Sequence, residues 1–159
     1  MIRLRADSDR LRRTLRHREI EAVFRHVPDD MFEDALELGA GDGAVVVART
    51  GDELADYAGK EEPLTILIEG QLTGPEKLRV ASNKTLLGVG ASASITGVEL
   101  SLNDVSNVII RNLTMSGARD TIALRGSHHV WVDHCDLSAC DDGLLDILVG
   151  VQESTGGNI

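Results

Sequence analysis

Along most of the chain the apolar positions come in short β-branched runs, and Gly, Asn, Ser and Asp collect between them. The runs are L-T-I-L-I-E at Leu64 to Glu69, K-T-L-L-G at Lys84 to Gly88, V-I-I-R-N-L at Val108 to Leu113, and V-W-V-D-H-C-D-L at Val130 to Leu137. Aligning Thr85, Val108 and Val130 gives offsets of 23 and 22 residues. A second set keeps the same step, because Leu100 and Leu102 fall on Ile122 and Leu124. Strands repeating at this period with turn residues at the corners predict a solenoid of stacked β coils. Within each strand alternate residues should point inward, Val108 with Ile110 and Val130 with Val132, while their neighbours point out. Leucine-rich repeats share this period, but their Leu and Asn pattern is missing.

Upstream of the repeats the pattern changes. Ser8 can cap a helix through Val27, with Leu11, Leu15, Ile20, Val23, Phe24 and Val27 near helical spacing and Pro28 ending the run. A second short helix is expected over Asp30 to Leu38. The G-A-G-D-G segment from Gly39 then acts as a link, and Ala44 to Ala48 reads as a first strand. Thr50 followed by Glu53 is a capping box, so a short helix should run over about Asp52 to Ala58. The expected divisions are a helical extension at 1–38, the β coils at 39–147 and a divergent tail at 148–159.

Bulk properties narrow the possibilities. With 159 residues and 42% hydrophobic side chains the chain can bury a core, and 3% aromatics suits stacked aliphatic residues. The net charge of −10 is unevenly spread. Residues 1–27 hold eight arginines against four acids; the rest holds eight basic against 22 acidic residues. So acidic a body is a poor partner for nucleic acid. No run of 18 apolar residues predicts a membrane span, and the arginine-rich start lacks the apolar stretch of a secretory signal. Cys135 and Cys140 lack zinc-site spacing and read as small interior side chains.

The chemistry concentrates between Asn107 and Asp146. This stretch contains N-V-I-I-R-N-L-T, R-D-T-I-A-L-R-G-S, H-V-W-V-D-H-C-D-L-S and D-D-G-L-L-D-I. Asp120 precedes one second-strand segment, and Asp142 and Asp146 flank the equivalent segment one coil later. The repeat offset sets these segments side by side in a parallel sheet, about 4.8 Å apart. Three carboxylates so gathered repel one another, and a hard divalent cation, Ca²⁺ before zinc or copper, is the natural compensation. An exposed acidic rim is the simpler alternative. Asp133 and His134 sit together without a placed Ser or Cys nucleophile and read as structural, and Asn112 with His134 reads as a stacked polar pair at a turn.

The run W-V-D-H followed by D-G-L-L-D-I resembles the pectate lyase family of polysaccharide lyases, over roughly Ala44 to Ile147. The resemblance implies an all-β, right-handed parallel β-helix, here with few coils, and a short helix covering its N-terminal mouth. It also implies an extracellular enzyme that takes the acidic polysaccharide polygalacturonate (pectate). Asp120, Asp142 and Asp146 would be ligands for Ca²⁺, which bridges to the uronate carboxylates. Many members carry a further Asp where this chain has Ala118, and Asp141 is a possible substitute. The implied reaction is β-elimination: Ca²⁺ offsets the charge that develops as a base removes the C5 proton, and the glycosidic oxygen leaves C4.

In the family the base is an arginine helped by a lysine, both on later coils. Arg111, Arg119 and Arg125 do not match that arginine by motif, so no catalytic residue is assigned. The repeat breaks near Leu148, where Glu153 falls at a position that should be apolar. The expectation is therefore a chain that binds Ca²⁺ weakly, does not cleave pectate, and self-associates or frays at an open end. A polygalacturonase-type hydrolase would share the fold and use Asp120, Asp141 and Asp142, but its G-H-G and R-I-K signatures are absent. Pectin lyase needs no Ca²⁺, and a non-catalytic carbohydrate-binding β-helix is the third alternative.

Overall fold

The computed structural model describes residues 39–41, 43–148 and 155–156. The helices expected over 8–27 and 30–38 lie outside the described residues. Twelve strands and one helix follow in order. These are β1 (Ala44–Ala48), α1 (Gly51–Gly59), β2 (Leu64–Thr73), β3 (Lys77–Arg79), β4 (Lys84–Thr96), β5 (Glu99–Asn103) and β6 (Ser106–Arg111). They continue with β7 (Thr114–Ser116), β8 (Asp120–Arg125), β9 (His128–Asp133), β10 (Asp136–Ser138), β11 (Gly143–Ile147) and β12 (Thr155–Gly156).

Every pairing is parallel. One sheet runs β1-β2-β4-β6-β9-β12 and branches at the far end of β4 to β7 and β10; the other runs β11-β8-β5-β3. Each strand pairs with its equivalent one coil away, giving a β-solenoid of roughly five turns. The strand at Ala44 to Ala48 and the match of Leu100 and Leu102 to Ile122 and Leu124 are as expected.

Three columns of inward side chains build the core. Val46, Ile66, Leu86, Ile110 and Val132 stack in register along the first face. Leu72, Ile95, Met115 and Leu137 stack along the second, and Leu78, Leu100, Ile122 and Leu145 along the third. Full burial of such an aliphatic side chain is worth about 1.5–3 kcal/mol, so the columns supply the main cohesive force between coils.

One expectation is corrected. Thr85 does not align with Val108; Lys84 does, and Thr85 pairs with Ile109. The step there is one residue longer than the repeat suggested, and a lysine occupies an inward position. Lys84 is fully buried, and its Nζ donates to the carbonyls of Glu62 at 2.7 Å and Ser82 at 3.0 Å. The outward neighbours are also not all solvated. Thr65, Leu67, Thr85 and Ile109 are buried. The Gly39–Gly41 turn lies on part of this face, since the Ala40 N–H donates to Thr85 Oγ1 and an added Cβ on Gly39 would meet Thr85 and Ile109.

Helix α1 closes one mouth of the solenoid. Thr50 Oγ1 accepts from the Glu53 N–H at 3.2 Å, while the Glu53 carboxylate reaches back to the Arg49 N–H at 2.8 Å, one residue before the position a capping box uses. Leu54 and Ala58 plug the core beneath it. Gly51 packs so tightly on the Thr73–Gly74 backbone that no side chain fits there.

The corners are built from residues at positive φ. Asn83, Asn107 and His129 take this conformation one above another, as do Asn112 and His134. Asn107 Nδ2 donates to Asn83 Oδ1 at 3.0 Å and to the Gly39 carbonyl at 2.6 Å, and Asn107 Oδ1 accepts from the Gly39 N–H. Asn112 Nδ2 donates to the carbonyls of Gly88 and Gly90 on the preceding coil. Short amides suit this role because they tolerate the left-handed region and satisfy neighbouring backbone groups.

Candidate functional site

Two of the predicted acids, Asp120 and Asp146, lie on the adjacent strands β8 and β11 of the second sheet. Their register pairs Asp120 with Gly143, Leu145 with Ile122, and Asp146 with Ala123. Asp120 opens β8, and its Oδ1 accepts from the Gly143 N–H at 2.9 Å. Asp146 lies three residues beyond Gly143, and its carboxylate folds back into the space that a Cβ on Gly143 would fill. Two carboxylates from adjacent coils therefore converge on one glycine. Both are half-buried.

Asp142 stands apart. Its Oδ2 lies 3.4 Å from Arg119 Nη2 in a solvent-exposed contact, a pair worth little in water. Asp141 is exposed and tied to the preceding coil through its N–H to the Ala118 carbonyl at 3.3 Å. Ala118 itself is buried. Among the described residues no three His, Cys, Asp or Glu side chains already stand close enough to enclose a metal. Asp120 and Asp146 thus both border Gly143, while the Asp142 carboxylate is turned to Arg119.

The pair of acids still fits a hard cation. The donors are all oxygen, the cradle depends on a missing Cβ, and Asp142 is held only by an exposed contact. Gly143, which borders both acids, is a position that reading the sequence did not single out. Its only signal was a glycine directly after the paired acids.

The W-V-D-H segment is structural in its contacts. Arg111 and Asp133 face each other across β6 and β9 and form a buried ion pair at 2.9 Å. The Arg111 guanidinium also lies 5.0 Å from the centre of the Trp131 ring, and His134 Nδ1 is 2.8 Å from Asp133 Oδ1. Cys135 is buried, and burial pushes its thiol up to about 11, so it is an inert thiol rather than a thiolate. Cys140 is half-buried, with its sulfur 3.3 Å from the Ser138 carbonyl. No helix among the described residues is long and apolar enough to cross a membrane.

Known proteins share the sequence pattern and the fold. A family profile described as pectate lyase matches residues 28–146. The chain is 42% identical over 131 residues to pectate lyase plyB of Emericella nidulans, covering 76% of this chain and 40% of that protein. It is 44% identical over 130 residues to a probable pectate lyase B of Aspergillus terreus, covering 75% of this chain and 39% of that one. A pectate trisaccharide-lyase of Thermotoga maritima is 33% identical over 138 residues, with 78% of this chain and 37% of that protein covered. Among solved structures, a Bacillus sp. N165 pectate lyase in complex with trigalacturonate superposes with a TM-score of 0.55 at 26% identity, over 60% of this chain and 37% of that one. The chain spans about two-fifths of the length of the curated relatives it matches. By its matched residues and its parallel solenoid, the chain belongs to the pectate lyase family.

Proposed function

We propose that this chain carries the cation- and uronate-gripping part of a calcium-dependent polygalacturonate lyase acting outside the cell. The observation that carries the reading is the convergence of Asp120 and Asp146 on Gly143. Asp120 and Asp146 would hold Ca²⁺, with Asp142 recruited from its exposed contact with Arg119, or Asp141 in its place. Bound there, Ca²⁺ supplies neutralisation of the substrate carboxylate beside the proton that is lost. The substrate class is that of the relatives, one of which is solved in complex with trigalacturonate. A body this acidic repels a polyuronate unless a cation lies between them.

The reaction of the relatives' class is β-elimination. A base takes the C5 proton, the electron pair forms the C4–C5 double bond, and the C4–oxygen bond breaks to release the neighbouring sugar; no water is added. The roles given to this chain are holding the cation and orienting the uronate. The proton acceptor is assigned to no described residue. On this reading the chain binds pectate without releasing unsaturated uronate, and the exposed apolar side chains of β11 favour self-association.

Calorimetric titration with calcium chloride tests the site. Asp120→Asn and Asp146→Asn should each weaken calcium binding by about tenfold or more, because each removes an anionic ligand. Polygalacturonate should bind in calcium and not in chelator. Unchanged calcium affinity in both variants would defeat the assignment. Growth of the ultraviolet absorbance of unsaturated uronate would defeat the expectation of no cleavage.

A further inference from the structure

The acidic body leaves one cationic side chain unclaimed. Among the described residues Arg49 pairs with Glu69, Arg79 with Glu61, Arg111 with Asp133 and Arg119 with Asp142. Lys60 pairs with Asp56, Lys77 with Glu99, and Lys84 with two carbonyls. Arg125 alone among them has an exposed guanidinium with no ion pair. That is unexpected where acids outnumber bases 22 to eight over residues 28–159.

Its position is specific. Leu124 points into the core, so Arg125, the next residue of β8, points outward. Asp146 pairs with Ala123, two residues before Arg125, on the same outward face. Arg125 is therefore the diagonal neighbour of Asp146, roughly 7–8 Å away across one strand spacing. The facing residue on β5 is Asn103, a neutral side chain whose Nδ2 donates to Ser101 Oγ at 3.0 Å. The carboxylate of Asp104 lies against Gly126 instead of reaching the guanidinium.

The geometry points to Arg125 as a second uronate-binding residue, gripping the carboxylate of a sugar next to the one held at Asp120 and Asp146. The inference rests on the proposed calcium–uronate reading and adds a specificity determinant to it. A guanidinium presents two parallel N–H donors that match a carboxylate and not a methyl ester. A polyuronate crossing from β11 to β8 moves by one strand spacing, about 4.8 Å. Arg125 would therefore favour unesterified over methyl-esterified polymer.

The test uses the full chain, polygalacturonate and highly methyl-esterified pectin, with affinity measured in calcium and in chelator. Arg125→Gln should weaken polygalacturonate binding about tenfold, leave pectin binding as it was, and leave calcium affinity without sugar unchanged. Arg125→Lys should recover part of the loss. Polygalacturonate binding equal to wild type in Arg125→Gln, with calcium dependence intact, overturns the role of Arg125 alone. Binding that needs no calcium but still falls in Arg125→Gln keeps that role and removes the calcium reading. No polygalacturonate binding by the wild-type chain overturns both.

Discussion

Lys84 marks the sharpest conflict between local chemistry and the fold. A lysine at an inward rung runs against the apolar alternation of its strand, and it pairs there with Val108. The chain resolves the conflict by carrying the ammonium to the carbonyls of Glu62 and Ser82 at the end of the solenoid wall. Burial still holds its pKa below the ordinary lysine value of 10.5. The folded state therefore gives up the proton at lower pH than the unfolded state does. The cost of burying the charge stands in full at neutral pH and disappears above about 10.5. Stability should thus rise with pH between the lowered value and 10.5, and Lys84→Met should lose that rise. Urea unfolding of both proteins from neutral to alkaline pH measures it; parallel pH profiles would remove Lys84 as the cause. The acids were easier to read, because Asp120 and the Asp142–Asp146 segment lie on strands that the repeat step sets side by side. That Asp142 turns to Arg119 depends on a side-chain contact that no spacing encodes.

At the scale of the element, the strands were legible because their apolar residues alternate and recur, and α1 was legible from Thr50 and Glu53. The corners were legible only as polar residues. Their left-handed backbone and their bonds to the next coil come from tertiary stacking. Asn107 illustrates the point, since one side chain fastens the Gly39 turn and the corner at Asn83. Asn107→Ala removes those bonds and puts a residue that tolerates the left-handed region less well than asparagine at φ +60°, a cost of about 2–4 kcal/mol. Asn107→Gly loses the bonds but relieves the backbone, so it should fall between alanine and wild type in thermal unfolding. Glycine as destabilised as alanine would mean that the backbone conformation contributes little.

The described residues form a stack with two unlike ends. Helix α1 closes one. At the other, β11 is the outermost strand of its sheet among the described residues, and Leu144, Ile147 and Leu148 are 44%, 55% and 39% exposed. Apolar side chains beside unpaired strand groups favour addition of another strand. The chain should associate as concentration rises, and Ile147→Lys should shift it toward monomer in sedimentation velocity. A monomer at every concentration for the wild-type chain would contradict this. The solenoid was legible from the repeat. The burial of outward residues such as Leu67 and Ile109 was not, because an alternating strand pattern does not record what lies over the sheet.

The parallel register has a further consequence. Each coil offers its outward residues at one fixed increment, so the surface is graduated like a ruler. A polymer whose charges keep pace with that increment is gripped notch by notch. One whose charges drift out of step is held at a single mark and slips from the rest.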